Sequence, residues 1–555
     1  MDTRRRNLLS SYKTSSGGSL DINNYLTIEA LENGLTVNLS TNTCEYCIDG
    51  DGVWYTLTAD TPTPSINHGQ VISFRGNLTP NSSNGIGTFT ISKKCNLKGN
   101  CMSMLFGNDA ENNYSLDGRS YAFFLLFYNC TNIIEVSPNF LPATTLSWYC
   151  YSNMFNGCTS LTAVPNLPAT ELEYRCYHRM FYNCASLIST PDLLATTLAS
   201  DCYYQMFEGC ISLTTAPTKL PVTTLENYCY YSMFYGCKSL TIAPELPATT
   251  LAEHCYSAMF HNCTSLTAAP ELPATTLAAY CYDSMFRNCT SLITAPKLPA
   301  TTLVNCCYYE MFEGCASLTA APKLPATRLV NSCYSYMFRD CTSLTATPDL
   351  PAIGLATNCY RYMFGGCTSL TTAPTKLPVT TLASDCYNSM FLGCTSLTTA
   401  PELPATRLQD RCYNAMFYNC TSLITAPDLP ATTLAYSCYN SMFQGCTSLT
   451  IAPELPATTL AEYCYSGMFG SCTSLTTAPE LPATTLVNSC YSSMFYRCSK
   501  LNYIKAMFTT TPSSSYTNYW VGGVSSTGTF VKNKDATWNV TGNNGIPSGW
   551  TVVTV

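Results

Sequence analysis

The feature that most constrains this chain is a repeat. From Leu141 to Ala506 the sequence is fourteen copies of L-P-A-T-T-L-x-x-x-C-Y-x-x-M-F-x-x-C-T-S-L-T-x-A-P-x, 26 residues each, with one extra residue at 216–225 and again at 373–382. A unit this short cannot bury its own apolar side, so neighbours must stack and carry the core from one layer to the next. The length of 555 residues would otherwise suggest three or four globular domains at roughly 150 residues each. The repeat removes that reading.

Within the unit Leu272 to Lys297, the residues Leu277, Cys281, Met285 and Cys289 recur every fourth position, with Tyr282 and Phe286 beside them. That spacing predicts a helix burying one broad stripe. Thr275 and Thr276 are placed to cap its start. Asn288 stands where Gly, Asn or Asp occurs in twelve of the fourteen copies, which reads as a left-handed helix stop. The following CTSLITAPKLP is short, Thr-rich and bracketed by prolines, as an extended, edge-exposed strand is. The expected fold is therefore an α/β solenoid, one short strand plus one helix per 26-residue unit. If its strands stack at about 4.8 Å, thirteen intervals make a column of roughly 60 to 65 Å.

Of the 34 cysteines, 28 fall in pairs eight residues apart inside the repeats. On a helix such a pair lies about 12 Å apart, beyond the roughly 7 Å Cα separation that a disulfide tolerates. Packed helices of adjacent layers at about 8 to 10 Å also disfavour bridges between equivalent cysteines. Buried, reduced cysteines acting as small apolar side chains are the expectation.

Charged residues make up 11% of the chain, against about 25% in ordinary soluble domains. Lys plus Arg number 27 and Asp plus Glu 34, a net charge of −7 that offers no basic face for phosphates. Nucleic acid is thus an unexpected partner. No stretch approaches the ~20 apolar residues of a membrane helix. The opening MDTRRRNLLSSYKTSSGG has charges without an apolar run, so it does not read as a signal peptide.

The residues MFxxCTSLTxAPxLPATTL resemble the BspA-type leucine-rich repeat, closely over 120–555 and loosely in YLTIEALENGLTVNLS and GIGTFTISKKCNLKGNCMSMLFG. Closely similar units, and a run similar to NYWVGGVSSTGTFVKNKDATWNVTGNNGIPSGWTV, occur in proteins of gut bacteria and their phages. The resemblance implies a right-handed leucine-rich-repeat coil and a surface-exposed, adhesive, non-enzymatic protein. Without a signal peptide, lipoprotein cysteine or cell-wall anchor in view, the expectation turns from a bacterial surface toward a virion.

The ends read differently. Residues 1–20 form a polar arm. Residues 21–119 alternate with turn signals at Glu32-Asn33-Gly34, Asp49-Gly50-Asp51-Gly52 and Asn81-Ser82-Ser83-Asn84-Gly85, as a small β-sandwich that docks the chain does. Residues 120–140 are a decayed capping repeat, 141–506 the fourteen units, and 507–555 a β-rich cap with hairpin-like segments around Trp520, Phe530, Trp538 and Trp550.

Chemistry finds little footing. Cys44, Cys47, Cys95 and Cys101 have zinc-like spacing, but three-residue spacing in a strand points to opposite faces, so packing is preferred. The Asp49–Gly52 turn lacks the later glutamate of a calcium loop. Of the four histidines, His178, His254 and His261 occupy variable repeat positions and His68 stands alone; no unit stands out as a catalytic dyad. No catalytic, metal or cofactor residue is assigned, and the chain is read as no enzyme. The candidate recognition surface is an acidic column after the second Pro of each unit (Glu245, Glu271, Glu402, Asp428, Glu454, Glu480) with Tyr174, Tyr204, Tyr231, Tyr309, Tyr336 and Tyr362 at variable positions, suited to glycans or protein. The expected function is a non-enzymatic surface-display and recognition protein, a phage tail or head fibre on the virion surface. It would dock through its N-terminal part, in several copies per particle, and offer its repeats to a host-surface glycan or protein. A bacterial cell-surface adhesin and a structural spacer are the alternatives.

Overall fold

Antiparallel pairing starts as soon as alternation does. The computed structural model describes residues 20–59, 61–377 and 379–555, so all of the expected arm except Leu20 lies outside the described residues. The chain forms two compact units, Met1–Glu271 and Leu272–Val555. In unit 1 the strands β1 (Leu26–Ala30), β2 (Val37–Leu39), β3 (Thr43–Ile48), β4 (Tyr55–Thr58), β5 (Val71–Arg75), β6 (Phe89–Ile91), β7 (Cys95–Gly99) and β8 (Ile133–Val136) make a six-stranded sheet of order β4-β3-β5-β1-β7-β8 and a separate β2-β6 pair. Leu26, Ile28, Phe74 and Leu97 are buried at its core. The expected boundary at residue 120 is not a structural break: β8 belongs to the first coil, yet it pairs in parallel with β7. Phe89 N–H donates to Leu126 O at 2.8 Å, and the Phe89 ring stacks on Phe127 at 5.6 Å. The N-terminal domain itself is the cap, in place of the decayed repeat.

The repeats contain no helix, which corrects the main expectation. Among the described residues of 141–502 there is neither an α-helix nor a continuous strand. Coil 280–289 shows what replaces them. Cys281, Asp283, Met285, Arg287 and Cys289 N–H groups each donate to the carbonyl three residues back. Tyr280, Tyr282, Ser284, Phe286 and Asn288 N–H groups donate instead to carbonyls of the next coil, Asn305, Cys307, Tyr309, Met311 and Glu313, at 2.7 to 3.3 Å. Every fourth residue is left-handed: Tyr280, Ser284 and Asn288 have φ of 55°, 52° and 57°. The result is a ribbon of four-residue turns. A helix advances 100° per residue, so a strict four-residue spacing would slide about 120° round a helix over twelve positions. Turns of four residues keep it on one side.

Left-handed residues other than Gly are uncommon because Cβ crowds the backbone. Here they persist because each one's N–H is held by the neighbouring coil. The Gly/Asn position at the third turn has its own packing logic: a side chain at Gly209 would occupy the space of Asn183 Oδ1, and one at Gly314 that of Asn288 Oδ1. The helix-stop reading found the correct conformation at one of three such positions per coil.

Inward, Cys281, Tyr282, Met285, Phe286, Cys289 and Leu292 are at most 1% exposed. Equivalent rings stack coil on coil, Tyr282 on Tyr308 at 5.8 Å and 6°, Phe286 on Phe312 at 5.7 Å and 5°. Unit 1 has equivalent columns of its own, through Tyr151, Tyr177 and Tyr203 and through Phe155, Phe181 and Phe207. The second cysteine has a defined role. Its Sγ donates to the Phe carbonyl of the preceding coil, as Cys184 to Phe155 O at 3.2 Å and Cys315 to Phe286 O at 3.0 Å. All 34 cysteines are free, and Cys306 alone among them is not fully buried. Burial pushes such thiols up, Cys150 and Cys202 to about 12. The expected strand CTSLITAPKLP shrinks to single parallel bridges such as Thr294↔Ala320, because Pro296 and Pro299 remove ladder donors.

At the end of unit 2, β9 (Tyr503–Ala506), β10 (Thr529–Lys532) and β11 (Thr551–Thr554) form a parallel sheet, Ile504 opposite Phe530 and Phe530 opposite Val552. Hairpins were expected there. The coil instead continues past Cys498 without its cysteines: Phe495 N–H donates to Trp520 O at 2.8 Å, as Phe469 N–H does to Met494 O. Trp520 is fully buried near Tyr491 and Phe495 and closes both ring columns.

Candidate recognition surface

Each four-residue turn sends two side chains inward and leaves two at the outer edge, so outer residues of successive coils form ladders. In unit 1, Tyr121 stacks on Tyr149 at 4.7 Å, and His178, Tyr204 and Tyr231 stack in series at 4.9 and 4.8 Å. Arginines thread between the rings. Arg175 lies 5.0 Å over Tyr174, donates to Tyr149 Oη at 2.9 Å and pairs with Asp201 at 3.6 Å. Arg179 lies over Tyr182 and Tyr204 and donates to Gln205 Oε1 at 2.6 Å. Burial, with Arg179 and Arg175 nearby, pushes His178 down to about 3, so it sits neutral in the stack. Burial pushes the Glu208 carboxyl up to about 7, against the opposing pull of Arg179.

Unit 2 carries its own cluster. Tyr336 stacks on Tyr362 at 5.0 Å and 5°, Tyr309 meets Tyr336 edge-on at 5.7 Å, and Arg339 and Arg361 lie over both stacked rings. Arg287 bonds Glu310 at 2.6 Å and Glu313 at 3.4 Å, and Arg339 closes the chain of charges on Glu313 at 3.5 Å.

All six candidate tyrosines are half-buried, because their faces cover one another or the arginines. Edges, hydroxyls and guanidinium groups remain for a partner. The arginines and Trp148, 57% exposed and donating to Glu173 at 3.1 Å, escaped the sequence reading, although they occupy the same variable positions as the tyrosines. The six acidic candidates are all exposed, at a different corner of the coil. In unit 2, Asp428 and Glu454 line an open groove of about 590 Å³ with Pro430, Ile451, Pro453 and Pro456, and Glu454 and Glu480 share the adjoining groove of about 400 Å³. No tyrosine lines either one. The structure thus separates two sets that sequence reasoning grouped.

Elsewhere the singled-out residues are engaged by the protein. Cys47 packs with Tyr25 and Trp54, and its Sγ donates to Asp51 Oδ1 at 3.3 Å. Asp49 accepts from Gln70 Nε2 and Val71 N–H. His254 stacks on Tyr228, and His261 packs tilted against Tyr235 at 4.6 Å. Among the described residues no group of three His, Cys, Asp or Glu side chains is arranged to hold a metal, and no helix is long and apolar enough to cross a membrane.

The BspA type leucine-rich repeat region, in six copies, matches residues 125–267, 205–345, 253–398 and 410–519, together more than half of the chain. No curated protein matches. Two solved structures overlay on it. A leucine-rich repeat protein from Bacteroides ovatus ATCC 8483 does so at 16% identity, over 78% of this chain and 86% of that one, with a TM-score of 0.33. TLR13 in its complex with ssRNA13 does so at 13% identity, over 73% and 48%, with a TM-score of 0.21.

Proposed function

Because the chain belongs to the BspA type leucine-rich repeat family, we propose that it is a non-enzymatic surface-display and recognition protein whose contact surface is the outer edge of the turn ribbon. One observation carries this reading: invariant residues of the repeat all point inward, while Tyr, Arg, His and Trp cluster at outer positions that change from coil to coil. Hydroxyl edges and guanidinium groups suit a polar target, a glycan or a protein surface. In its finer form the proposal is a phage virion appendage, tail or head fibre, attached through the N-terminal domain and present in several copies, with a bacterial adhesin or a spacer as alternatives. Linked copies raise avidity by roughly 10² to 10⁴ without new contacts. The test is binding of a multivalent display of the chain to candidate host cells, against Tyr204→Ala/Tyr231→Ala and Tyr336→Ala/Tyr362→Ala variants. Binding lost in either variant supports the reading. Undiminished binding in both moves the contact surface away from the ribbon's outer edge, and no binding by the parent chain leaves the spacer.

A further inference from the structure

The corner that follows the second proline of each unit carries a charge pattern that recognition by the turn ribbon does not use. In unit 2 its column reads Lys297, Lys323, Asp349, Lys376, Glu402, Asp428, Glu454, Glu480, and all eight are exposed. The first four positions hold three lysines and one carboxylate; the last four are all carboxylates. Successive members lie one coil apart on one surface: Lys376 bridges to Glu402 in parallel register and pairs with it at 3.6 Å. Asp349 and Lys376 share a groove, as do Asp428 with Glu454 and Glu454 with Glu480. Prolines form the walls between them, and Ile451, 68% exposed, lines the groove that Asp428 and Glu454 share. A strip positive at one end, negative at the other and apolar between its charges is complementary to itself when turned end for end.

We propose that this corner of unit 2 is the surface through which two copies of the chain pair, about a two-fold axis passing between Lys376 and Glu402. A two-fold contact uses the same patch on both copies. With that axis Lys297 faces Glu480 of the second copy, Lys323 faces Glu454 and Lys376 faces Glu402, while Asp349 faces Asp428. Three of the four distinct pairs attract. Moving the axis half a coil either way sets Lys376 or Glu402 against itself and Asp349 against another glutamate, leaving two attractive pairs; moving it a full coil toward Asp349 keeps three attractive pairs but leaves Glu454 and Glu480 without a lysine to face. Proline at each corner withholds backbone N–H groups, so side chains make the contact. At about 4.8 Å per coil the strip is ~34 Å long. Its exposed charges make the pairing reversible and salt-dependent.

Sedimentation velocity on the full chain, across a wide concentration range and at low and high salt, tests this. A dimer that dissociates on dilution and on adding salt is expected. Lys297→Glu/Lys323→Glu and Glu454→Lys/Glu480→Lys are each expected to be monomeric, with thermal unfolding little changed, because the side chains are exposed and Glu480 gives up only a surface ion pair with Lys505 at 3.0 Å. Mixed together, the two variants are expected to form a heterodimer, since every reversed charge then meets its opposite. A monomeric parent chain, dimers that persist in both variants, or failure of the mixture to pair overturns the proposal. So does a monomeric parent that binds an extended lysine-rich peptide at Asp428–Glu480, which names a different occupant.

Discussion

The repeats begin and end against caps of opposite chemistry. The ribbon's inter-coil bonds run one way, N–H of one coil to C=O of the next, as in Tyr151 to Cys176 and Tyr465 to Cys490. The first coil therefore offers carbonyls and the last offers N–H groups. At the N-terminal end the cap supplies a donor, Phe89 N–H to Leu126 O, and its ring extends the Phe column. It also accepts the Cys130 thiol on Phe89 O at 2.7 Å. At the C-terminal end the loop around Asn543 and Asn544 supplies acceptors: Asn544 Oδ1 takes Tyr519 N–H at 2.8 Å and Asn543 O takes Val521 N–H at 3.3 Å. One end continues the core, and the other closes it with Trp520, whose indole donates to Gly545 O at 2.9 Å. The direction of the ladder dictates which kind of group a cap must bring.

The largest test of this contrast is deletion of residues 1–120. Were the decayed repeat at 120–140 a cap in its own right, a soluble rod would remain. The structure removes that expectation, because β6 and β7 complete the first coil and Phe127 loses its cover. The deleted chain is expected to aggregate or to unfold in its first coils, seen by size exclusion and hydrogen exchange; a monodisperse, fully protected product contradicts the capping role.

Single ring deletions come next. Phe89→Ala and Trp520→Ala should each cost about 3 to 5 kcal/mol, with exchange rising in the first coils of unit 1 for the former and the last coils of unit 2 for the latter. A uniform rise in either variant would show that the caps act globally.

Smaller is the polarity test. Asn544→Leu strips the acceptor from Tyr519 N–H and should cost about 1 kcal/mol, whereas Asn544→Asp keeps an acceptor and should stay nearly neutral. Equal losses in both would mean that shape, not acceptance, matters at this end.

The smallest effect is a control away from both caps. Glu208 is raised from 4.5 to about 7, so the folded chain holds its proton more tightly. Its stability contribution is full below pH 4.5 and is lost as pH rises through 7. Solvent screening keeps it under about 1 kcal/mol. Glu208→Gln should flatten this slope in unit 1 urea melts and leave exchange at both caps unchanged. A slope identical to the parent's assigns the pH dependence elsewhere.

The inward set was legible because side chains that never vary between copies have one environment: Leu277, Cys281, Tyr282, Met285 and Phe286 were all assigned to the core and all lie there. The turn conformation was legible at one of its three left-handed positions. Asn288 betrays a left-handed residue by its type; Tyr280 and Ser284 do not, since tyrosine and serine carry no preference for that region. The candidate surface was legible as positions, not as geometry. Tyr336 and Tyr362 read as open aromatic surface, whereas the structure stacks them and clamps them with Arg339 and Arg361.

By itself the sequence determined the 26-residue register, the side chains that face inward, and the absence of room for an independent core in any one unit, because periodicity and residue type act on each copy alone. Only the tertiary structure decided between helix and turn ribbon. A four-residue apolar spacing suggests a helix over one or two turns but stays on one side only in the ribbon, and the ribbon forms only where alternate N–H groups find a carbonyl one coil away. Tyr282 N–H reaching Cys307 O at 3.1 Å is such a bond, and it exists only when the next coil is already in place.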